Sequence, residues 1–320
     1  MLRHAVRRGL LAAVQLALLA VLVFVLTSLL PGDAAEVRFN EQAGAAVSGL
    51  DEVAHLREQL GLDRPPAERF FDWAGGLLSG DLGTSLVSGN PVREIVAGSL
   101  GSTLVLAGVT AALLVPLAML LGLTAGLRAG RAADRAITSV TLALNSVPDF
   151  VLALALIAVF SLRLGWLPST WLGADGGGLV TSPVLLVLPV AVLLARTVCA
   201  LSRQIRAGTI AALEADYTVQ ARRLGVPRGR LVMRHVLPNA AVPGVQELAR
   251  TGDQLLGGVL IVEAVFAIPG TATALIEAVQ SRDVPTVQAL TLLLAALALA
   301  FNVAADLVSQ RLSPRTEVLR

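Results

Sequence analysis

Four ionisable side chains lie within or beside long apolar runs of this 320-residue chain: Asp149, Glu247, Arg250 and Asp253. Glu247, Arg250 and Asp253 recur every three residues, which places them roughly along one face of a helix. A charge at membrane depth is costly, so such groups face a polar cavity, a partner or a solute pathway. Asp149 follows Asn145-Ser146-Val147-Pro148, a break in a span expected over 136–161. At roughly 1.5 Å per residue it lies about 20 Å from the start of that span, near mid-bilayer. A capped carboxyl beside a proline kink is the plain alternative. Asn145, Asp149, Glu247, Arg250 and Asp253 are therefore the candidate translocation pathway, a chemistry of ion pairing and solvation.

Bond-making chemistry finds little to work with. The histidines are His4, His55 and His235, none within an expected span, which argues against a Ser–His protease or a His-rich metal site inside the membrane. Thr251-Gly252-Asp253 touches the Gly-x-Gly-Asp pattern of intramembrane aspartyl proteases, but Arg250 and Thr251 precede Gly252 and no second catalytic Asp is evident beyond Asp149. There is no lysine, which excludes a phosphate-binding P-loop and a Schiff base. One cysteine, Cys199, excludes an intrachain disulfide and a cysteine zinc cluster. The expectation is a protein without catalytic residues, metal or cofactor of its own.

A second concentration of charge needs another reading. Arg206, Arg222, Arg223, Arg228, Arg230 and Arg234 lie between apolar runs against only Glu214 and Asp216. Residues 210–224 lack Pro and Gly and read as a helix that Gly225 ends as a C′ glycine. Pro227 suits the first turn of a second short helix, which the Leu237-Pro238 step closes. Two short helices about a glycine turn, on a basic loop, read as a docking knob. A basic loop kept inside by charge alone is the bland alternative.

Composition frames both features. The chain is 55% hydrophobic and 15% charged, with a mean hydropathy of +0.74; an average globular chain carries about 25% charged residues. The pI near 9.4 invites a nucleic-acid reading. The net charge is only +2 and the arginines border apolar spans, so topology explains them better.

In chain order, Arg3, Arg7 and Arg8 precede an uncharged run from Gly9 to Leu30, read as an uncleaved membrane helix with a cytoplasmic N-terminus. Residues 31–98 hold eleven acidic residues against five arginines and read as an extracytoplasmic segment. Within it, Val53 to Leu60 reads as a short helix and Gly61 to Pro66 as a turn. Phe70, Phe71, Trp73, Leu77 and Leu78 form an apolar patch expected to pack on the bundle. Further spans are expected over 100–127, 136–161, 183–201, 243–262 and 287–305. The basic turn 128–135 and the tail 311–320 lie inside. Gly122 and Gly126 mark a helix contact. Residues 162–182, with Trp166 and Trp171, and residues 263–285 lie outside or partly re-enter. The domain reading is an N-terminal helix over 1–30, the segment 31–98, a five-helix core over 99–310 with a coupling loop at 202–242, and the tail.

The order of these pieces resembles the permease subunits of binding-protein-dependent ABC importers, closest to the dipeptide, oligopeptide and nickel group. The cytoplasmic "EAA" loop of such permeases has a Gly, nine residues, then Ile-x-Leu-Pro. Here Gly225 is followed by nine residues and His235-Val236-Leu237-Pro238. Only Ala221 of the Glu-Ala-Ala triplet matches, and His235 replaces the Ile. Asp216-Tyr217, Ala221-Arg222, Gly225 and Arg234-His235 through Asn239-Ala240 fit the subfamily version. Leu29 to Asp33, Gln59 to Pro65, Gly80 to Ser85 and Arg282 to Pro285 are also similar to that group. The resemblance implies an all-α, type I importer permease of six transmembrane helices with both termini cytoplasmic, in the bacterial inner membrane. It implies a second homologous permease, two cytoplasmic ATPase subunits that bind the ATP, and an extracytoplasmic solute-binding protein. The coupling loop would use Asp216, Tyr217, Ala221, Arg222, Gly225, Arg234, His235, Leu237 and Pro238. The competing reading is an ion-coupled secondary transporter using Asp149, Glu247 and Asp253; no internal repeat supports it.

Overall fold

The structure, a computed structural model, describes residues 2–29, 58, 63–171 and 182–312. The side chains of residues 2–8, 242, 245, 246, 249, 250, 253 and 305–312 lie outside that description, as do the expected helix over 53–60 and most of the turn after it.

The elements of the described residues are all helices, with one isolated bridge between Thr84 and Pro91. Helix α1 spans Leu2–Leu29 and α2 spans Pro66–Ser79, with a proline in its first turn. Gly80, at φ 83°, ends α2, and the Asp81 amide donates back to the Gly76 carbonyl. Helix α3 is Val92–Leu127 and α4 is Ala132–Ser146. Pro148 holds Val147 extended, at φ −89° and ψ 130°, so the chain restarts as α5, Asp149–Leu156, and relaxes into a π turn over Ile157–Arg163. After a 3₁₀ turn at Pro183–Leu186, α6 runs from Val187 to Glu214. Then come α7, Asp216–Arg223, and α8, Arg228–Leu231, followed by a π turn over Val232–Val236. Helix α9 is Leu237–Phe266, α10 is Thr271–Gln280 and α11 is Val284–Leu312.

Four helices are long and apolar enough to cross a membrane, or up to six if each of two broken pairs is one span. The six expected spans match the upper count. Helices α4 and α5 with its π turn form one such pair, bent by 104°. That bend invalidates the depth assigned to Asp149, because rise along a straight axis no longer measures position. Two other boundaries move. Helix α6 continues past residue 201 to Glu214, since Ile205, Gly208, Thr209 and Ala212 remain buried among its neighbours. Residues 210–224 are two helices, not one, because Ala215 is extended at ψ 142°.

The chain divides into two compact units. The unit of residues 104–268 and 298–320 has a core of Leu106, Val192, Leu193, Val259, Val262 and Phe266. Its helices approach through glycines. A methyl group on Gly122 would lie 2.6 Å from the Ser202 carbonyl oxygen, and one on Gly126 would lie 2.5 Å from Thr209 Cβ. The small-residue pair is therefore the contact of α3 with α6. Gly208 and Gly244 do the same between α6 and α9, a Cβ on Gly208 falling 2.9 Å from the Ala240 carbonyl.

The unit of residues 1–103 and 269–297 packs Val92 and Val96 against Ala289 and Leu290. Phe24 of α1 stacks edge-on to Phe70 at 5.1 Å and lies 5.8 Å from Trp73. That half of the apolar patch packs as expected, whereas Phe71 and Leu78 are exposed. Asp283 is buried and ties the unit together: it accepts from Ser85 Oγ at 2.6 Å, the Leu86 amide at 2.9 Å and Thr286 Oγ1 at 2.6 Å.

Candidate coupling loop and ion pairs

Gly225 sits at the turn between α7 and α8 with φ 80°, a region that any side chain pays for sterically. The Gly225 amide donates to the Arg222 carbonyl at 3.1 Å and the Val226 amide to the Ala221 carbonyl at 3.1 Å. This double closure is a Schellman motif, so the sequence places its C′ glycine correctly. Pro227, at φ −66°, then leads directly into α8. The turn carries Arg222, Arg223, Arg228 and Arg230 exposed, with Arg234 exposed one helical turn further on. Tyr217, Leu224 and Met233 are exposed beside them. Asp216 is exposed in the first turn of α7, and Ala221 is half-buried. Charge over a few exposed apolar groups suits an acidic protein partner.

Beneath this face, Thr218, Leu231, Val236 and Ala240 are buried and root the loop. The expectation that Leu237-Pro238 closes the second short helix is overturned. Helical structure runs on through the π turn at 232–236 into α9, where Leu237 is half-buried and Pro238 exposed. A proline in a regular α-helix clashes with the carbonyl four residues back; the wider π turn accommodates the ring instead. Asn239 Nδ2 donates to the His235 carbonyl at 2.6 Å, and His235 itself is half-buried.

The five candidate pathway residues are not gathered in one place by what is described. Asn145 is exposed and Asp149 buried. Glu247 is half-buried on α9, its backbone carbonyl accepting from Thr251 Oγ1 at 2.9 Å. The side chains of Arg250 and Asp253 lie outside the description. Asp149 begins α5 and has a partner that sequence reasoning missed: Arg196 of α6 donates through Nη1 to its Oδ2 at 3.0 Å. Asp149 Oδ1 is enclosed and receives no hydrogen bond among the described residues.

A second ion pair was also missed. Arg206, counted above among the loop arginines, instead grips Asp134 of α4. Its removal from that group leaves five exposed arginines on the loop proper. The available signal was local: Asp134 is the one acid in the basic turn 128–135. Among the described residues no group of three or more His, Cys, Asp or Glu is arranged to hold a metal.

A family model described as "Binding-protein-dependent transport system inner membrane component" matches residues 118–318, and a companion N-terminal model matches residues 1–107. A glutathione transport system permease protein of Pectobacterium atrosepticum is 33% identical over 314 residues, covering 98% of each chain. A putative peptide permease protein of Brucella ovis is 33% identical over 328 residues, covering 99% of this chain and all of that one. A solved amino acid ABC transporter chain superposes with a TM-score of 0.48 at 18% identity, over 68% of this chain and 94% of that one.

Proposed function

The chain belongs to the family of binding-protein-dependent transport system inner membrane components, and on that premise we propose that the loop about Gly225 couples it to a separate ATPase. The protein is an inner-membrane permease subunit of an ABC importer, working with a partner ATPase and a substrate-binding protein. The finer composition we propose is a second homologous permease, two cytoplasmic ATPase subunits that carry all the ATP, and an extracytoplasmic binding protein. Both termini are then cytoplasmic, and the segment 31–98 faces the binding protein. Peptides are the proposed cargo, because the relatives named for a cargo are glutathione and peptide permeases; nickel and related small solutes remain the neighbouring class. No cofactor or catalytic residue is assigned to this chain.

One observation carries the coupling role. A Schellman-closed turn holds two short helices at an angle on an exposed face that bears Arg222, Arg223, Arg228 and Arg230, while Leu231 and Val236 root it in buried packing. Such a knob is stiff enough to transmit displacement. Closure of the ATPases pushes on α7 and α8, and the continuous helical run through the π turn into α9 passes the motion to the spans. The carrier reading draws no support from Asp149, whose carboxylate is tied to Arg196.

The test is gentle purification of the tagged protein from its native membrane. Recovery of a second permease and a P-loop ATPase, lost on deletion of residues 219–238, is the expected result. Recovery of the chain alone, still driving ion-gradient uptake in liposomes without ATP, would overturn it.

A further inference from the structure

Helix α6 is the most enclosed of the four unbroken candidate spans, yet it keeps one open line. Arg196, Arg203, Ala207 and Glu214 are exposed at spacings of seven, four and seven residues, which puts them on one face. Ala200 is half-buried on the same line and Gln204 is exposed beside it. The flanking positions Val192, Leu193, Thr197, Val198, Cys199 and Leu201 are buried. At roughly 1.5 Å per residue, the line from Arg196 to Glu214 is about 27 Å long.

A stripe holding two arginines and a carboxylate cannot look onto acyl chains without a large penalty. Small side chains at Ala200 and Ala207 leave the space in front of it open. The Arg196 side chain is 45% exposed while that of Asp149 is 2% exposed, so the acid lies behind the arginine and the guanidinium projects outward. The bond to Asp149 uses only Nη1, and the rest of the half-open guanidinium keeps planar N–H donors for a solute. Asp149 is a positioning residue in this arrangement. Gly258 of α9 lies across from it, a Cβ there falling at ordinary contact distance, 3.5 Å, from Oδ2.

We infer that the open face of α6 lines a water-filled stretch of the pathway, and that Arg196, held from behind by Asp149, favours carboxylate-bearing solutes there. Arg203 adds a second positive charge further along, and Glu214 supplies the one negative charge on the line. The inference rests on the permease reading above and assigns that pathway a face and a charge preference.

The test uses the assembled complex in native membranes. Cys199, the only native cysteine, is buried, so a Cys199→Ala chain carries Ala200→Cys or Ala207→Cys as the reporter. Leu120→Cys, on an exposed apolar position of α3, reports the background. The probes are an anionic sulfonatoethyl and a cationic trimethylammonium-ethyl methanethiosulfonate. Both stripe cysteines are expected to react well above Leu120→Cys, the anionic probe faster at residue 200 by roughly tenfold, the scale of one partly screened charge at several ångströms. Arg196→Lys is expected to keep that preference. Asp149→Asn/Arg196→Gln, which removes both charges and strands neither, is expected to abolish it. Unreactive stripe cysteines, or a preference unchanged in the double variant, would overturn the inference. ATPase co-purifying with every variant separates the two failures: an intact complex with an inert stripe sinks only this inference, whereas a chain that never brings an ATPase sinks the permease reading.

Discussion

The Arg206 guanidinium donates through Nε and Nη2 to the two oxygens of Asp134, at 2.6 and 2.8 Å. The same carboxylate accepts the Gly130 amide at 2.8 Å and the Thr138 hydroxyl at 3.4 Å. One buried acid thus folds the 128–131 turn around itself and fastens it to α6, the helix that leads into α7 and α8.

Removing the arginine would strand that acid. Arg206→Ala is expected to cost about 2–4 kcal/mol, toward the lower side of values for broken buried pairs because Arg206 is itself partly open. Asp134→Asn/Arg206→Gln is expected to be more stable than Arg206→Ala, since no charge is left alone. Heating the detergent-solubilised protein and measuring the monodisperse fraction by size exclusion reads both. Equal melting of Arg206→Ala and the unmutated chain would show that the pair is dispensable.

The glycine contacts give a sharper contrast. Gly122→Ala and Gly126→Ala place a methyl group against Ser202 and Ile205 or against Thr209, where backbone and β-branched atoms cannot swing away. Overpacking of this kind costs about 1–3 kcal/mol. Gly108→Ala, on the same helix with nothing within 4 Å, is expected to be neutral or slightly stabilising. The same heating assay separates the two classes, and similar behaviour of all three variants would contradict the packing.

These results show what local sequence signals can carry. The apolar runs, the Pro148 break and the C′ role of Gly225 are legible because each depends only on residues contiguous in the chain. The partners of Asp134 and Asp149 lie 72 and 47 residues away, and nothing in the chain between them sets that pairing. Pro238 misled for a related reason: local rules end a helix there, but the packing of Val236 and Ala240 keeps it going through a π turn. Likewise the span expected over 183–201 stops short, although the helix stays buried on its other faces as far as Ala212.

Asp283 joins the Gly80-to-Ser85 and Arg282-to-Pro285 segments. The first supplies Ser85 and the second the acid it binds, 198 residues apart. Asp283→Ala would take the acceptor from the buried Ser85 and Thr286 hydroxyls, at about 1–3 kcal/mol for each group. The expected result is faster proteolytic cleavage within residues 81–91 in right-side-out vesicles, with membrane insertion retained. Asp283→Asn keeps an acceptor and is expected to fall between. Unchanged cleavage in Asp283→Ala would show that the loop is held by other contacts.

Gly225 separates a fold effect from a coupling effect. Its left-handed backbone costs any other residue about 1–2 kcal/mol, and more for a β-branched one. A side chain there meets nothing within 4 Å, so the cost is confined to the turn and does not spread into packing. Gly225→Val is therefore expected to insert at normal abundance while ATP-driven uptake falls roughly tenfold or more, as the closed turn loses population. Gly225→Asn, which tolerates the left-handed region, is expected to retain most of the uptake. Normal uptake in Gly225→Val at normal abundance would take the coupling role away from this turn. Loss of the protein from the membrane would instead place Gly225 in the fold, since a surface turn that only transmits force has no reason to govern insertion.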